Sequence, residues 1–149
     1  MMLVNCEPIR GSCMQLTTNQ QRVLTTLQEA GRPLSAYAVL DRLRVVGFTA
    51  PTQVYRALER LTEHGLVHRL ASLNAYVSCA HNSRCMHGFT AFAICDNCGH
   101  IDEFVDSDLS GSLGRWAKKN GFSPSTSAIE IRGKCGVCTG LAKASQNLS

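Results

Sequence analysis

A chain of 149 residues holds one domain or two small ones, and its 44% hydrophobic content is enough for packed cores. Charged residues make up 17%, too few for a largely disordered chain, and the net charge of +4 admits a nucleic-acid partner without requiring one. No apolar run approaches about 18 residues, so no membrane-spanning helix is expected. The opening MMLVNCEPIRGSCMQL lacks a basic segment followed by an apolar one, so no secretion signal is expected and a cytoplasmic location is inferred. In that compartment eight cysteines read as metal ligands before disulfides.

Residues 1–16 show no period and read as a mobile arm carrying Cys6 and Cys13. Thr17, Thr18, Gln20 and Gln21 offer two overlapping capping boxes, and Val23, Leu24 and Leu27 follow at helical spacing until Gly31 and Pro33 stop the helix. Ser35 can cap a second helix, with Leu34 and Val39 placed as a hydrophobic staple. Pro51 suits the first turn of a third helix and Gly65 its end. Val54, Leu58 and Leu61 form one stripe of that helix; Gln53, Arg56, Arg60 and His64 form another. LVHRL (66–70) and AYVSC (75–79) alternate about a turn near Leu73-Asn74 and predict a hairpin. Three helices and a hairpin over 17–79 are the order of a winged helix, whose third helix suits the major groove. Arg56 is placed to contact guanine and Gln53 adenine, with Arg60 on the same stripe and Tyr37 within reach from the second helix. A plain solvated face is the competing reading.

Residues 80–88, AHNSRCMHG, are polar and aperiodic and read as a hinge. A second, α/β unit spans 89–140: strands at Phe89–Ile94, Ile101–Val105 and Ser127–Arg132, with a short helix marked by Leu109, Leu113 and Trp116. Residues 141–149 read as a flexible tail. The expected class is α+β: a winged helix followed by a small α/β domain.

That second unit contains the strongest motif, CDNC (95–98) and CGVC (135–138), spaced C-x2-C-x36-C-x2-C. Two such knuckles can place four thiolates at tetrahedral corners, which suits a structural Zn²⁺ closed to chemistry. Redox-active pairs or disulfides are the alternatives. A second metal set gathers around the hinge: His68, Cys79, His87 and Glu103. With a two-residue turn at Leu73-Asn74, His68 falls opposite Cys79, their Cβ atoms about 5 Å apart. Two nitrogens, a sulfur and an oxygen suit tetrahedral Zn²⁺, and the thiolate disfavours Mg²⁺, Ca²⁺ and Mn²⁺. Separate structural roles remain the alternative, and His81, Cys85 and His100 are rival ligands.

PTQVYRALERL (51–61), GLVHRL (65–70), NAYVSC (74–79) and ICDNCGHIDEF (94–104) leading to the CGVC pair resemble the ferric-uptake-regulator family of repressors, and within it the zinc-responsive branch. The resemblance covers roughly residues 17–140. It implies a homodimer with an N-terminal winged helix and a C-terminal dimerisation domain, and two zinc ions per subunit. One would be structural, on Cys95, Cys98, Cys135 and Cys138; the other regulatory, on His68, Cys79, His87 and Glu103. It implies base contacts by Tyr37 and Arg56, and double-stranded DNA, an AT-rich palindromic operator, as the partner. The His-rich run that the iron branch carries before its first CxxC is missing from RCMHGFTAFAIC (84–95), and HxH ligand pairs are absent. The function expected is zinc-dependent repression of zinc uptake genes, with no enzymatic activity, membrane association or small-molecule substrate. An iron-, manganese- or peroxide-responsive regulator of the same family is the alternative.

Overall fold

The computed structural model describes residues 15–80, 89–124 and 127–140. Most of the arm expected at 1–16, the hinge residues from His81 to Gly88 and the tail at 141–149 lie outside the described residues, and with them Cys6, Cys13, His81, Cys85 and His87.

Three helices come first, and each begins where its capping chemistry places it. Helix α1 (Thr18–Ala30) starts at Thr17, whose side chain and that of Gln20 close a capping box, and ends at Gly31 in the left-handed region (φ 58°), where a glycine is the unstrained residue. Helix α2 (Ala36–Leu43) is capped by Ser35, whose hydroxyl accepts the N–H of Ala38, and a single 3₁₀ turn (Arg44–Val46) follows. Helix α3 (Pro51–Glu63) opens on its proline. Val23 and Leu27 of α1, Val39 and Leu40 of α2, and Val54, Leu58 and Leu61 of α3 meet in one buried core.

The wing is strand β1 (Val67–Leu70) paired antiparallel with β2 (Ala75–Ser78). Leu34, just before α2, adds an antiparallel bridge to Tyr76 and ties the wing to the helices, a contact with no local signal in the sequence. The turn is longer than the expected Leu73-Asn74. Ala71–Leu73 form a 3₁₀ turn and Asn74 closes it at φ 47°, a conformation asparagine adopts more readily than most residues. His68 therefore pairs with Val77 rather than Cys79. The register differs from expectation by an even number of residues, so His68 and Cys79 stay on one face as diagonal neighbours.

The second unit is a three-stranded sheet ordered β4-β3-β5. Strand β3 (Thr90–Cys95) forms a hairpin with β4 (Ile101–Phe104) and pairs in parallel with β5 (Ala128–Gly133). Helix α4 (Ser107–Lys119), capped by Asp106, makes the crossover, and a short helix α5 (Gly136–Thr139) follows Cys135. Leu70 of the wing is fully buried with Phe92 and Ile94 of β3, so the wing packs on the sheet. No helix among the described residues is long and apolar enough to cross a membrane.

Leu58 is fully buried where α3 meets α1 and α2. Leu58→Ala should lower unfolding free energy by about 3 kcal/mol, the cost of a buried leucine truncation whose cavity does not collapse; denaturant unfolding followed by circular dichroism checks this.

Candidate metal centres and nucleic-acid face

The β3–β4 hairpin presents Cys95 and Cys98, while beyond the end of β5 Cys135 stands at the N-cap of α5 and Cys138 lies within it. Parallel pairing through Cys95 and Gly133 brings the two knuckles together, and Asp96 N–H donates to the Gly133 carbonyl at 2.7 Å. Arg132 clamps the same junction from its side chain, Nε and Nη2 reaching Asp96 Oδ1 at 2.8 and 2.6 Å. The four sulfurs all lie within 4.8 Å of one another, and Cys98 Sγ and Cys135 Sγ are 3.6 Å apart. Four sulfurs about 2.3 Å from a tetrahedral ion sit about 3.8 Å from each other, so the cluster fits Zn²⁺ closely. No disulfide joins the described cysteines.

The electrostatics of these thiols explain what an ion does there. The backbone N–H groups of Cys135, Cys98 and Asn97 hold Cys95 down at about 6, against burial. For Cys98 the His100 backbone pulls down, but bonds shared with the thiols of Cys95, Cys135 and Cys138, and burial, push it up to about 12. At neutral pH Cys95 is thus a thiolate while Cys98 keeps its proton, and a bound dication would relieve the competition that holds Cys98 up. Excess charge on the filled site would be spread onto donors already in place: Cys135 N–H to Cys95 Sγ and Asn97 Nδ2 to Cys138 Sγ, both 3.2 Å.

A second cluster joins wing to sheet: His68 on β1, Cys79 just past β2 and Glu103 on β4, their ligand atoms also within 4.8 Å of one another. Glu103 Oε2 accepts the Ala80 N–H at 2.9 Å, while Oε1 faces Cys79 Sγ at 3.4 Å and His68 Nε2 at 3.6 Å. Burial lowers the His68 pKa, and the Glu103 charge only partly restores it, so the imidazole is neutral at neutral pH and keeps a lone pair. His68 Nε2 is buried without a hydrogen-bond partner among the described residues. An orphaned ring nitrogen beside a thiol and a carboxylate is what a metal would complete. Phe92 packs on the imidazole with ring centroids 5.3 Å apart and fixes its orientation, a role the sequence did not reveal because the contact crosses from wing to sheet. Of the four residues expected here, three come together; His87 lies outside the described residues. His100, a rival ligand, is turned away, its Nε2 3.1 Å from Asp102 Oδ1 on the exposed surface.

The residues expected to meet DNA lie on the helical unit. Arg56 and Arg60 are exposed on α3, Arg60 in contact with Glu63 at 3.0 Å, and Tyr37 is exposed on α2. Gln53 is engaged locally: its Oε1 accepts the N–H groups of Thr49 and Ala50 at 2.8 and 3.1 Å and so caps α3, whose first residues have no side-chain cap of their own. A groove of about 380 Å³ runs between the start of α1 and α3, lined by Thr17, Asn19, Gln20, Gln53, Arg56 and Arg60. The polar start of α1 was read from sequence only as a cap.

The ferric uptake regulator family model matches residues 12–132. The chain belongs to this family. Among curated members of the family, the zinc uptake regulation protein of Escherichia coli (strain K12) is 36% identical over 126 residues, 84% of this chain and 73% of that protein. The protein of the same name from Mycobacterium tuberculosis (strain ATCC 25618 / H37Rv) is 31% identical over 124 residues, 82% of this chain and 93% of its own. Among solved structures, holo XcZur is 38% identical with a TM-score of 0.75, covering 87% of this chain and 89% of the other. A zinc uptake regulator complexed with zinc and DNA is 34% identical with a TM-score of 0.75, covering 87% and 86%.

Stripping metal from the four-cysteine cluster with a strong chelator should speed amide exchange through Cys95–Gly99 and Cys135–Gly140 and leave α1–α3 protected, because the knuckles are closed only by the sulfurs and a few hydrogen bonds. Hydrogen exchange read by mass spectrometry checks this.

Proposed function

We propose that this protein is a zinc-responsive, DNA-binding transcriptional repressor of zinc uptake genes, acting as a homodimer in the cytoplasm and not as an enzyme. The observation that carries the reading is the buried His68 Nε2, without a hydrogen-bond partner among the described residues, facing Cys79 and Glu103 between wing and sheet. Likeness over more than four fifths of the chain to a zinc uptake regulator complexed with zinc and DNA supports it. Two zinc ions per subunit are assigned, a structural one to Cys95, Cys98, Cys135 and Cys138, and a regulatory one to His68, Cys79, His87 and Glu103.

Residues 17–79 form the DNA-binding unit, 80–88 the hinge and 89–140 the dimerisation unit, flanked by an arm at 1–16 and a tail at 141–149. Support for a dimer comes from apolar surface left uncovered in the second unit. Edge strand β5 exposes Ile131, and the tilted rings of Trp116 and Phe122 meet with centroids 5.8 Å apart and more than half of each exposed.

Zinc, when bound, supplies a dication that His68 and Cys79 from the wing and Glu103 from the sheet can share. Holding those residues at one point fixes the wing, and α3 with it, against the sheet. In a dimer that sets the separation of the two α3 helices, so half-sites about one helical turn apart become readable. Cys79 as thiolate and Glu103 as carboxylate balance the dication's charge. Tyr37, Arg56 and Arg60 meet the duplex, with Gln53 steadying the start of α3 and offering its amide group. The coupling is reciprocal: if the loaded site tightens DNA binding, DNA tightens metal binding equally.

The deciding experiment titrates the dimer, its four-cysteine site filled, onto an AT-rich palindromic duplex at a series of buffered free-zinc concentrations. A steep gain in affinity with zinc but not with iron or manganese is expected; binding indifferent to zinc overturns the reading. Cys79→Ser should keep the fold and the structural zinc yet lose the zinc dependence. Arg56→Ala should cost about 1–3 kcal/mol of DNA binding and relax sequence preference, whereas a uniform loss on all sequences would make Arg56 a phosphate contact.

A further inference from the structure

Glu130 lies on β5, the strand farthest from the hinge cluster. In the sheet register Glu103 of β4 and Glu130 of β5 both pair with Phe92 of β3, so the three side chains form one row across the sheet. That row faces the wing: Glu103 reaches Cys79 and Ala80, Phe92 packs on His68, and Glu130 reaches the wing turn. The Glu130 carboxylate takes two successive backbone N–H groups there, Ala71 N–H on Oε1 at 2.6 Å and Ser72 N–H on Oε2 at 3.2 Å. Burial acts to raise its pKa, but the bonds from Ser72 and Ala71 and the charge of Arg132 outweigh it, so the carboxylate is ionised at neutral pH. Charge-assisted bonds of this kind are roughly twice as strong as neutral ones.

We propose that Glu130 is a positioning residue that latches the wing turn to the sheet and thereby sets how tightly the hinge site of His68, Cys79 and Glu103 holds its metal. The inference rests on the zinc-site reading given above. His68 and Cys79 ride on the wing, and they meet Glu103 only when the wing is docked. A metal that binds the docked form alone has an apparent affinity scaled by the fraction of chains already docked. Glu130 holds the far end of the wing without touching the metal ligands, so it raises that fraction in metal-free protein. The set-point of the sensor then depends on a residue that coordinates nothing.

The test uses the full-length dimer with its four-cysteine site filled and compares wild type, Glu130→Gln and Glu130→Ala. Amide exchange at Ala71 and Ser72 is measured before hinge zinc is added, then zinc affinity by competition with a chromophoric chelator. Exchange at both amides should quicken, and hinge-zinc affinity should fall about tenfold in Glu130→Ala and less in Glu130→Gln, which keeps an acceptor oxygen. Four-cysteine zinc and the midpoint of α1–α3 unfolding should stay unchanged, an outcome that general destabilisation would not give. Unchanged exchange overturns the latch, and faster exchange with unchanged zinc affinity overturns the coupling. A parallel Cys79→Ser titration separates these results from failure of the hinge site itself: if that variant binds the same zinc as wild type, the hinge site is not where it was placed, whatever Glu130 does.

Discussion

The docking of the wing onto the sheet is the constraint on which the rest depends. Phe92 is fully buried at the centre of β3, beneath the His68 ring and beside Leu70. Without that contact the helical unit would have its own core and the sheet its own hydrogen bonds, but His68, Cys79 and Glu103 would not share a point in space. Apolar packing brings them close, and it also strips water from His68, which keeps the imidazole neutral and its nitrogen available. The same burial therefore serves shape and chemistry together. It also creates a cost, a ring nitrogen with no hydrogen-bond partner among the described residues, that a ligand of the right kind would remove.

The two cysteine pairs and the hinge cluster divide the work differently. The knuckles close the end of a single sheet, with ligands at or just beyond the ends of strands already paired to each other. An ion there reinforces a contact the backbone makes anyway. The hinge residues come from elements that touch mainly through side chains, so an ion there changes the energy of an arrangement. The structural and regulatory roles proposed for the two clusters rest on where the ligands are anchored as much as on what they are.

Much of this was legible in the sequence because it is encoded locally. Thr17, Ser35 and Pro51 mark the helix starts through bonds or ring geometry within a turn, and the cysteine spacing is a covalent fact. The pairing of His68 with Cys79 on one face also survived, although the turn at 71–74 was misjudged, since strand faces depend only on whether a register shift is odd or even. What stayed hidden depends on distant partners. The bonds that Gln53 Oε1 accepts from the Thr49 and Ala50 N–H groups, at an α3 start with no side-chain cap, were not apparent from its place on the polar stripe. The Leu34–Tyr76 bridge, Phe92 against His68 and Glu130 against the wing turn all join residues far apart in the chain, and no periodicity reports them.

The strand order β4-β3-β5 carries one more consequence. The centre of the sheet is the first of its strands to be made, but one of its two neighbours, β5, arrives only after α4 has been synthesised. The helical unit rests on contacts between adjacent elements, whereas β3 waits for a parallel partner that reaches Gly133. During translation at an ordinary pace, the three helices can therefore form while the sheet on which the wing packs is still incomplete. A nascent chain passes through a stage in which the helical unit exists while the sheet its wing rests on still lacks an edge, and the latch from Glu130 to the wing turn is among the last contacts to form.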